Sequence, residues 1–387
     1  MEFTQQYYRL KNCFHLGKET IDVEGGRVSI MKFPFFSSLE KYFTSQKPGP
    51  QNSFLNADLF INENRQFMYP VFMKSSLKKF NKAIILLHGL NERSWDKYLS
   101  WASYLAEHTD SAVILFPISF HMNRSPDSWS SPRSVVSLIK LRKQRFNSLD
   151  KLTVANITLS ERLTQAPSRF FTSGYQSAKD ILRLVEEIQK GKHPLFSTGT
   201  QVNFFAYSIG AFLSQILFAA NPKNLFSASK LFIFCGGPAF SEMYGTSKFI
   251  MDSKAFEVLY SYYTGDYENK LKQSSRLARI VDFSYLGKAF KAMLSTENIK
   301  DSAKQMFLHL ENQVQAIALN NDRVMPASGI LKTFKAAGWN CKQIVKVMDL
   351  PYDYTHENPF PVGNQKIITS VDEAFDNIFS KAAAFLR

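Results

Sequence analysis

The chain has 387 residues, which fits one large domain with insertions, or a core plus a cap, better than a single compact core or three domains. With 45% hydrophobic and 21% charged residues, the composition is globular and excludes disorder over most of the length. The net charge of +14 raises nucleic acid, an anionic membrane surface and acidic substrates as partners. The Lys and Arg residues are spread along the chain, however, with only small clusters such as Lys140, Arg142, Lys143 and Arg145. No basic repeat, zinc pattern or RNA-binding aromatic signature accompanies them, so nucleic-acid binding is not expected.

Three scattered cysteines, Cys13, Cys235 and Cys341, suggest neither a disulfide framework nor a metal knuckle. The first residues carry no basic segment followed by an apolar one, and no run reaches about 18 apolar residues. The expectation is a cytoplasmic protein without a transmembrane helix; a chain trimmed of a signal would read the same.

In chain order, residues 1–80 form an N-terminal extension, broken by Pro48-Gly49-Pro50. Ala57 to Ile61 and Gln66 to Lys74 read as two strands around Asn62-Glu63-Asn64-Arg65, an antiparallel edge hairpin. Pro70 assigns the second strand to an edge. The rhythm changes at about residue 82. Ala83-Ile84-Ile85-Leu86-Leu87 is a continuous apolar run, as expected of a strand buried on both faces. Trp95 to His108 has helical spacing, and Ala112 to Pro117 is the next buried strand.

The stretch from about Phe120 to Phe171, rich in Ser, Arg and Pro, reads as an insertion. A helix over Gly174 to Lys190, a strand over Val202 to Ala206, a helix over Gly210 to Ala220 and a strand over Leu231 to Cys235 follow. Gly25-Gly26 and Gly236-Gly237 read as turns. Residues 239–311 lack strand signals and read as aromatic-rich helices, a cap over the C-terminal edge of the strands. Strands resume at Gln315 to Leu319 and Gln343 to Met348, and an amphipathic helix runs over Val371 to Leu386. The alternation predicts an α/β fold, a doubly wound and mostly parallel sheet. Residues 81–238 and 312–387 would form its core.

The sharpest chemical signal is Ala206-Tyr207-Ser208-Ile209-Gly210, between a buried strand and a helix. A nucleophile on a strand-to-helix elbow needs small residues two positions to either side, because the turn is tight. The elbow also sets Ser208 at a helix N-terminus, where partial positive charge favours a developing anion. The bland alternative is a serine serving as an ordinary helix cap. A second signal, His88-Gly89-Leu90-Asn91, ends the first buried strand.

With these two segments the chain resembles the α/β-hydrolase superfamily, serine esterase- or lipase-like with a helical cap. The resemblance covers about residues 82–387, strongly at four short segments, and leaves out the N-terminal extension. It departs from the common pattern in having Ala206 where a glycine is usual. It implies that the backbone N–H groups of Leu90 and Ile209 hold the oxyanion, with Asn91 an alternative donor, and that His88 is structural. The segment Asp322-Arg323-Val324-Met325-Pro326 matches the superfamily's acid segment, with Asp349 and Asp353 as spare candidates. His356, the one histidine of seven after the last strand, takes the place of the base. The order Ser208, Asp322, His356 is that of the superfamily.

The function expected is carboxylic ester hydrolysis through an acyl-enzyme on Ser208, on a small-molecule ester with an apolar acyl or aromatic part. Thioester or amide hydrolysis, acyl transfer, a non-catalytic binding protein and lipid-surface action remain alternatives. No His-x-x-x-His pair, phosphate loop or GxGxxG after a strand occurs, so no metal or cofactor is expected.

Overall fold

The computed structural model describes residues 2–23, 27–38, 58–265, 267, 269 and 275–387. Pro48-Gly49-Pro50, Gly25-Gly26 and Ala57 lie outside them. The strands are β1 (Thr20–Asp22), β2 (Val28–Phe36), β3 (Gln66–Lys74), β4 (Phe80–Leu87), β5 (Ala112–Leu115), β6 (Phe196–Tyr207), β7 (Leu231–Phe234), β8 (Val314–Leu319) and β9 (Val345–Met348). They form one sheet in the order β1-β2-β3-β5-β4-β6-β7-β8-β9. The pairs from β5 to β9 are parallel; β1, β2 and β3 join antiparallel. The longer helices are α1 (Phe3–Cys13), α2 (Asp96–Thr109), α3 (Pro132–Arg145), α4 (Ile157–Gln165), α5 (Arg169–Gln189), α6 (Ile209–Ala220), α7 (Ser253–Thr264), α8 (Ser275–Phe283), α9 (Tyr285–Ala292), α10 (Ala327–Ala336) and α11 (Ile368–Leu386).

The apolar run in β4 is buried on both sides. Ala83, Ile85 and Leu87 join the core beneath α5 and α6, whereas Ile84 and Leu86 join the one beneath α1, α2 and α11. Side chains alternate across a strand, so a strand covered by helices on both faces must be apolar at every position. The same division runs through β6, where Phe204 and Ala206 face one layer and Phe205 and Tyr207 the other.

Several expectations need correction. Described residues of the stretch 57–61 form no strand, and Asn62–Arg65 is a short helical turn. Its polar residues explain this. Asp58 accepts hydrogen bonds from Arg162 and Arg169, and buried Asn64 bonds Gln176, Arg124 and Phe120 N–H. These contacts pin the segment to the core helices. The antiparallel partner of β3 is β2, and β3 is interior rather than an edge strand. Its pairing with β5 covers only Val71 and Phe72, so Pro70 lies just outside that ladder. The helix expected from Gly174 begins at Arg169 and runs through that glycine.

The insertion at 120–171 contains α3 and α4, and α4 packs against α7 from the 239–311 block; α9 of that block packs on α6 and α5. A buried ion network holds the first pair. Arg142 donates to Asp252 at 2.6 and 2.8 Å, to Glu161 at 2.8 Å and to Thr164 at 3.0 Å. Asp252 also caps α7 through Ala255 N–H. Burial alone would push the Glu161 carboxyl up, but Arg145 and Arg142 hold it below its usual value. Arg142→Ala strands the Asp252 carboxylate in the interior, while Glu161 keeps Arg145, and should cost roughly 3–5 kcal/mol of unfolding free energy, read from urea midpoints. A loss below about 1 kcal/mol, the range of exposed pairs, would contradict this.

Candidate active site

Ser208 sits between the last residue of β6 and the first of α6, with φ 56° and ψ −123°. So unusual a backbone is tolerated only where the surroundings enforce it, and such residues cluster at functional sites. The elbow packs onto the end of β4. A Cβ on Gly210 would lie 2.7 Å from the Leu87 carbonyl oxygen and 2.8 Å from its Cβ, so no larger residue fits there without movement. Ala206, fully buried against the α5 and α6 layer, is accommodated.

Three side chains from distant loops meet at this elbow. Ser208 Oγ lies 2.7 Å from His356 Nε2, and His356 Nδ1 lies 2.7 Å from Asp322 Oδ2. Exposure is 1% for Ser208, 3% for Asp322 and 4% for His356, so the chain of hydrogen bonds is shielded from water, where electrostatic interactions are stronger. The other carboxylate oxygen of Asp322 accepts from Val324 and Met325 N–H, each at 2.9 Å, which fixes its orientation. Asp349 instead accepts from Asn321, Tyr354 and Leu350 N–H. Asp353 lines a polar cleft that also touches Asp322 and His356.

Leu90 and Ile209 line one apolar cavity, and among the described residues no protein acceptor takes the backbone N–H of either. Gly89 N–H, by contrast, donates to Tyr98 Oη at 3.0 Å. Asn91 binds the loop to its covering, its amide donating to the carbonyls of Ala155 and Phe249. His88 is fully buried; its Nε2 accepts from Ile118 N–H at 2.9 Å, so Nδ1 carries the proton toward the Gly89 carbonyl.

Burial pushes His88 down to about 4 from 6.5. The folded chain therefore binds fewer protons than the unfolded one between these values, and its stability falls as pH drops through them. The stability advantage of wild type over His88→Asn should shrink from about pH 6.5 to about pH 4 in urea titrations. A constant difference would contradict the assignment.

Sequence reasoning missed the support around Ser208, His356 and Asp322. Tyr207 donates to the His356 carbonyl, and its ring stacks on the His356 imidazole at a centroid distance of 5.4 Å. Lys97 lies 4.7 Å over the other ring of this set, Tyr207, pairs with Glu92 at 2.5 Å and donates to the Glu357 carbonyl. Glu92 in turn accepts from Tyr98 Oη at 2.8 Å. The tyrosine inside the elbow motif was the available signal, since a buried phenol there requires a partner.

A family model matches residues 1–387, and its description is "Family of unknown function (DUF6051)". The chain belongs to this family. No curated protein matches DUF6051's member described here. Among solved structures, carboxyl esterase 2 from Tuber melanosporum is similar at 9% identity over 84% of this chain and 82% of its own, with a TM-score of 0.44. The peroxisomal α/β-hydrolase Lpx1 from Saccharomyces cerevisiae is similar at 13% identity over 92% and 89%, with a TM-score of 0.38. Prolyl oligopeptidase B from Galerina marginata is similar at 10% identity over 94% of this chain but 37% of its own, with a TM-score of 0.44. Of one matched Bacteroides ovatus chain, this chain spans 36% of the length.

The mostly parallel sheet, the helices on both faces and the strand–elbow–helix serine make this DUF6051 fold that of an α/β hydrolase. Among the described residues no helix is long and apolar enough to cross a membrane, and no group of three or more His, Cys, Asp or Glu is placed to hold a metal ion.

Proposed function

We propose that this chain is a serine hydrolase that cleaves carboxylic esters through an acyl-enzyme on Ser208. The observation that carries the reading is the continuous hydrogen-bond path from Ser208 Oγ through His356 to Asp322, each step 2.7 Å long. His356 Nε2 takes the serine proton as Oγ attacks the ester carbonyl, and Asp322 stabilises the imidazolium and holds its Nδ1–H. The backbone N–H groups of Leu90 and Ile209 receive the tetrahedral oxygen. Such donors are fixed before the reaction, and losing one is worth roughly 3 kcal/mol of transition-state stabilisation. The imidazolium then protonates the leaving alcohol, the C–O bond breaks, and a water activated by His356 releases the acid.

The fittest substrate on this reading is a small ester with an apolar acyl or aromatic part. Thioester or amide cleavage and transfer to another acceptor use the same groups, so the test compares leaving groups. Matched p-nitrophenyl esters, thioesters and anilides should be cleaved fastest as esters. Rapid mixing should show a p-nitrophenol burst of about one per chain, the mark of an accumulating acyl-enzyme. Turnover of thioesters alone would move the assignment to that class, and no turnover of any substrate would overturn the reading.

A further inference from the structure

A second cavity lies beside the loop that carries Leu90, with an empty volume of ≈ 460 Å³ that includes its part open to solvent. Leu90 and Asn91 line it, and most of the remaining wall comes from the insertion at 120–171. That wall holds three arginines, Arg93, Arg162 and Arg169, and among the described residues no Asp or Glu. Their pairing is uneven. Asp58 accepts from Arg162 at 2.8 Å and from Arg169 at 2.7 Å. Arg93 has only neutral partners. It donates to the Phe120 carbonyl at 3.3 Å and to Asn91 Oδ1 at 3.1 Å, and its Nε is buried without a partner. Among the described residues no carboxylate pairs with it.

Two of these cations share one ring. The Arg162 guanidinium lies 4.1 Å and that of Arg93 5.6 Å from the Trp129 ring centroid. Attraction to the ring steadies each of them, yet the two cations repel one another. Burial first, and then Arg162, lowers Arg93 to about 10, which leaves it charged at neutral pH. His121, also in the wall, adds no charge: burial, then His88 and Arg93, hold it well below 6.5. The cavity thus keeps one guanidinium that no protein carboxylate neutralises. Withdrawing such a group from water without a counterion is unfavourable, and an anion in the cavity would offset that cost. A single uncompensated cation matches a monoanion, and a carboxylate also fits the planar guanidinium.

We propose that this cavity binds a carboxylate of the substrate through Arg93, so that the preferred esters carry a free carboxylate besides the bond that is cleaved. The proposal rests on the ester-hydrolase reading for its chemistry, but binding tests it separately. The experiment uses the full chain as wild type, Arg93→Gln and Arg93→Lys, each checked for folding by thermal unfolding. The p-nitrophenyl monoesters of glutaric, adipic and suberic acid are each compared with the methyl-capped diester. Acetoxyphenylacetic acid is compared with its methyl ester, which places the carboxylate on the leaving group instead. With rates corrected for spontaneous hydrolysis, wild type should prefer the free acid in at least one pair, through a lower KM. That preference should fall about tenfold or more in Arg93→Gln and less in Arg93→Lys. By calorimetry at least one of the three dicarboxylates should bind wild type more tightly than inorganic phosphate does, and bind Arg93→Gln about tenfold more weakly.

Ester cleavage with no preference for the acid in any pair, or dicarboxylate binding unchanged in folded Arg93→Gln, would overturn the proposal while leaving ester hydrolysis standing. Phosphate bound more tightly than every dicarboxylate would overturn it as well. Dicarboxylate binding that Arg93→Gln weakens, with no ester cleaved by wild type, would uphold the carboxylate site and sink the hydrolase reading instead. Should Arg93→Gln not fold, the wild-type preference decides, and an acid-to-capped ratio at or below one in every pair overturns the proposal.

Discussion

Ser208→Ala should hydrolyse p-nitrophenyl esters about a millionfold more slowly than wild type while folding normally. The substitution removes one oxygen, the atom that His356 Nε2 faces at 2.7 Å, and with it the covalent route. What remains is the catalysis that positioning and oxyanion stabilisation provide over water, roughly three to four orders of magnitude. The backbone argument supports intact folding. Ser208 already occupies a positive-φ conformation enforced by the packing of the elbow against β4, and alanine suffers the same strain as serine there. Steady-state rates and thermal unfolding, measured together, check both halves. Equal rates in the two proteins would place the chemistry elsewhere.

Asp322→Asn comes next in size, with kcat expected to fall by about four orders of magnitude. The reason lies in the two oxygens of the carboxylate. One accepts from Val324 and Met325 N–H, and the other faces His356 Nδ1 at 2.7 Å. Asparagine can keep the first pair of bonds only by turning its oxygen toward them. Its amide NH₂ then faces Nδ1, and the imidazole must accept there. That moves the ring proton to Nε2, where it points at Ser208 Oγ and cannot take the serine proton. A loss below about tenfold would mean that another acid orients His356, with Asp353, which lines the same cleft, as the candidate.

Much of this site was readable in the sequence because its physical requirements are local. A strand buried on both faces favours apolar residues throughout, so Ala83–Leu87 of β4 announced itself as a continuous run ending at His88, and Val202–Ala206 of β6, apolar but for Asn203, as a strand leading to Ser208. A tight elbow admits only small flanking residues, so Ala206 and Gly210 marked Ser208 as the candidate nucleophile. Asp322 and His356 came from the resemblance and from chain order, and only the fold brings them within 2.7 Å of each other.

The N-terminal part was less legible. β2 contains Lys32 and Pro34, which blur its alternation, and its pairing with β3 spans a long gap in sequence. The segment from Ala57 to Ile61 looked strand-like from its apolar residues, with Asn62–Arg65 as the polar stretch after it, yet Asp58 and Asn64 are held by buried hydrogen bonds to Arg124, Arg162 and Arg169. Those partners lie 60 to 111 residues away, beyond the reach of any window. In the supporting set of Tyr98, Glu92, Lys97 and Tyr207, the buried phenol of Tyr207 was the one signal in view; Glu92, Lys97 and Tyr98 are near neighbours in sequence but ordinary alone, and their meaning is the contact.

The most direct test of the central claim is fluorophosphonate labelling of the intact chain followed by peptide mapping. The account predicts a single phosphonyl adduct on Ser208, absent from Ser208→Ala and formed far more slowly in His356→Ala. No adduct on the folded wild type, or one that persists in Ser208→Ala, would contradict it.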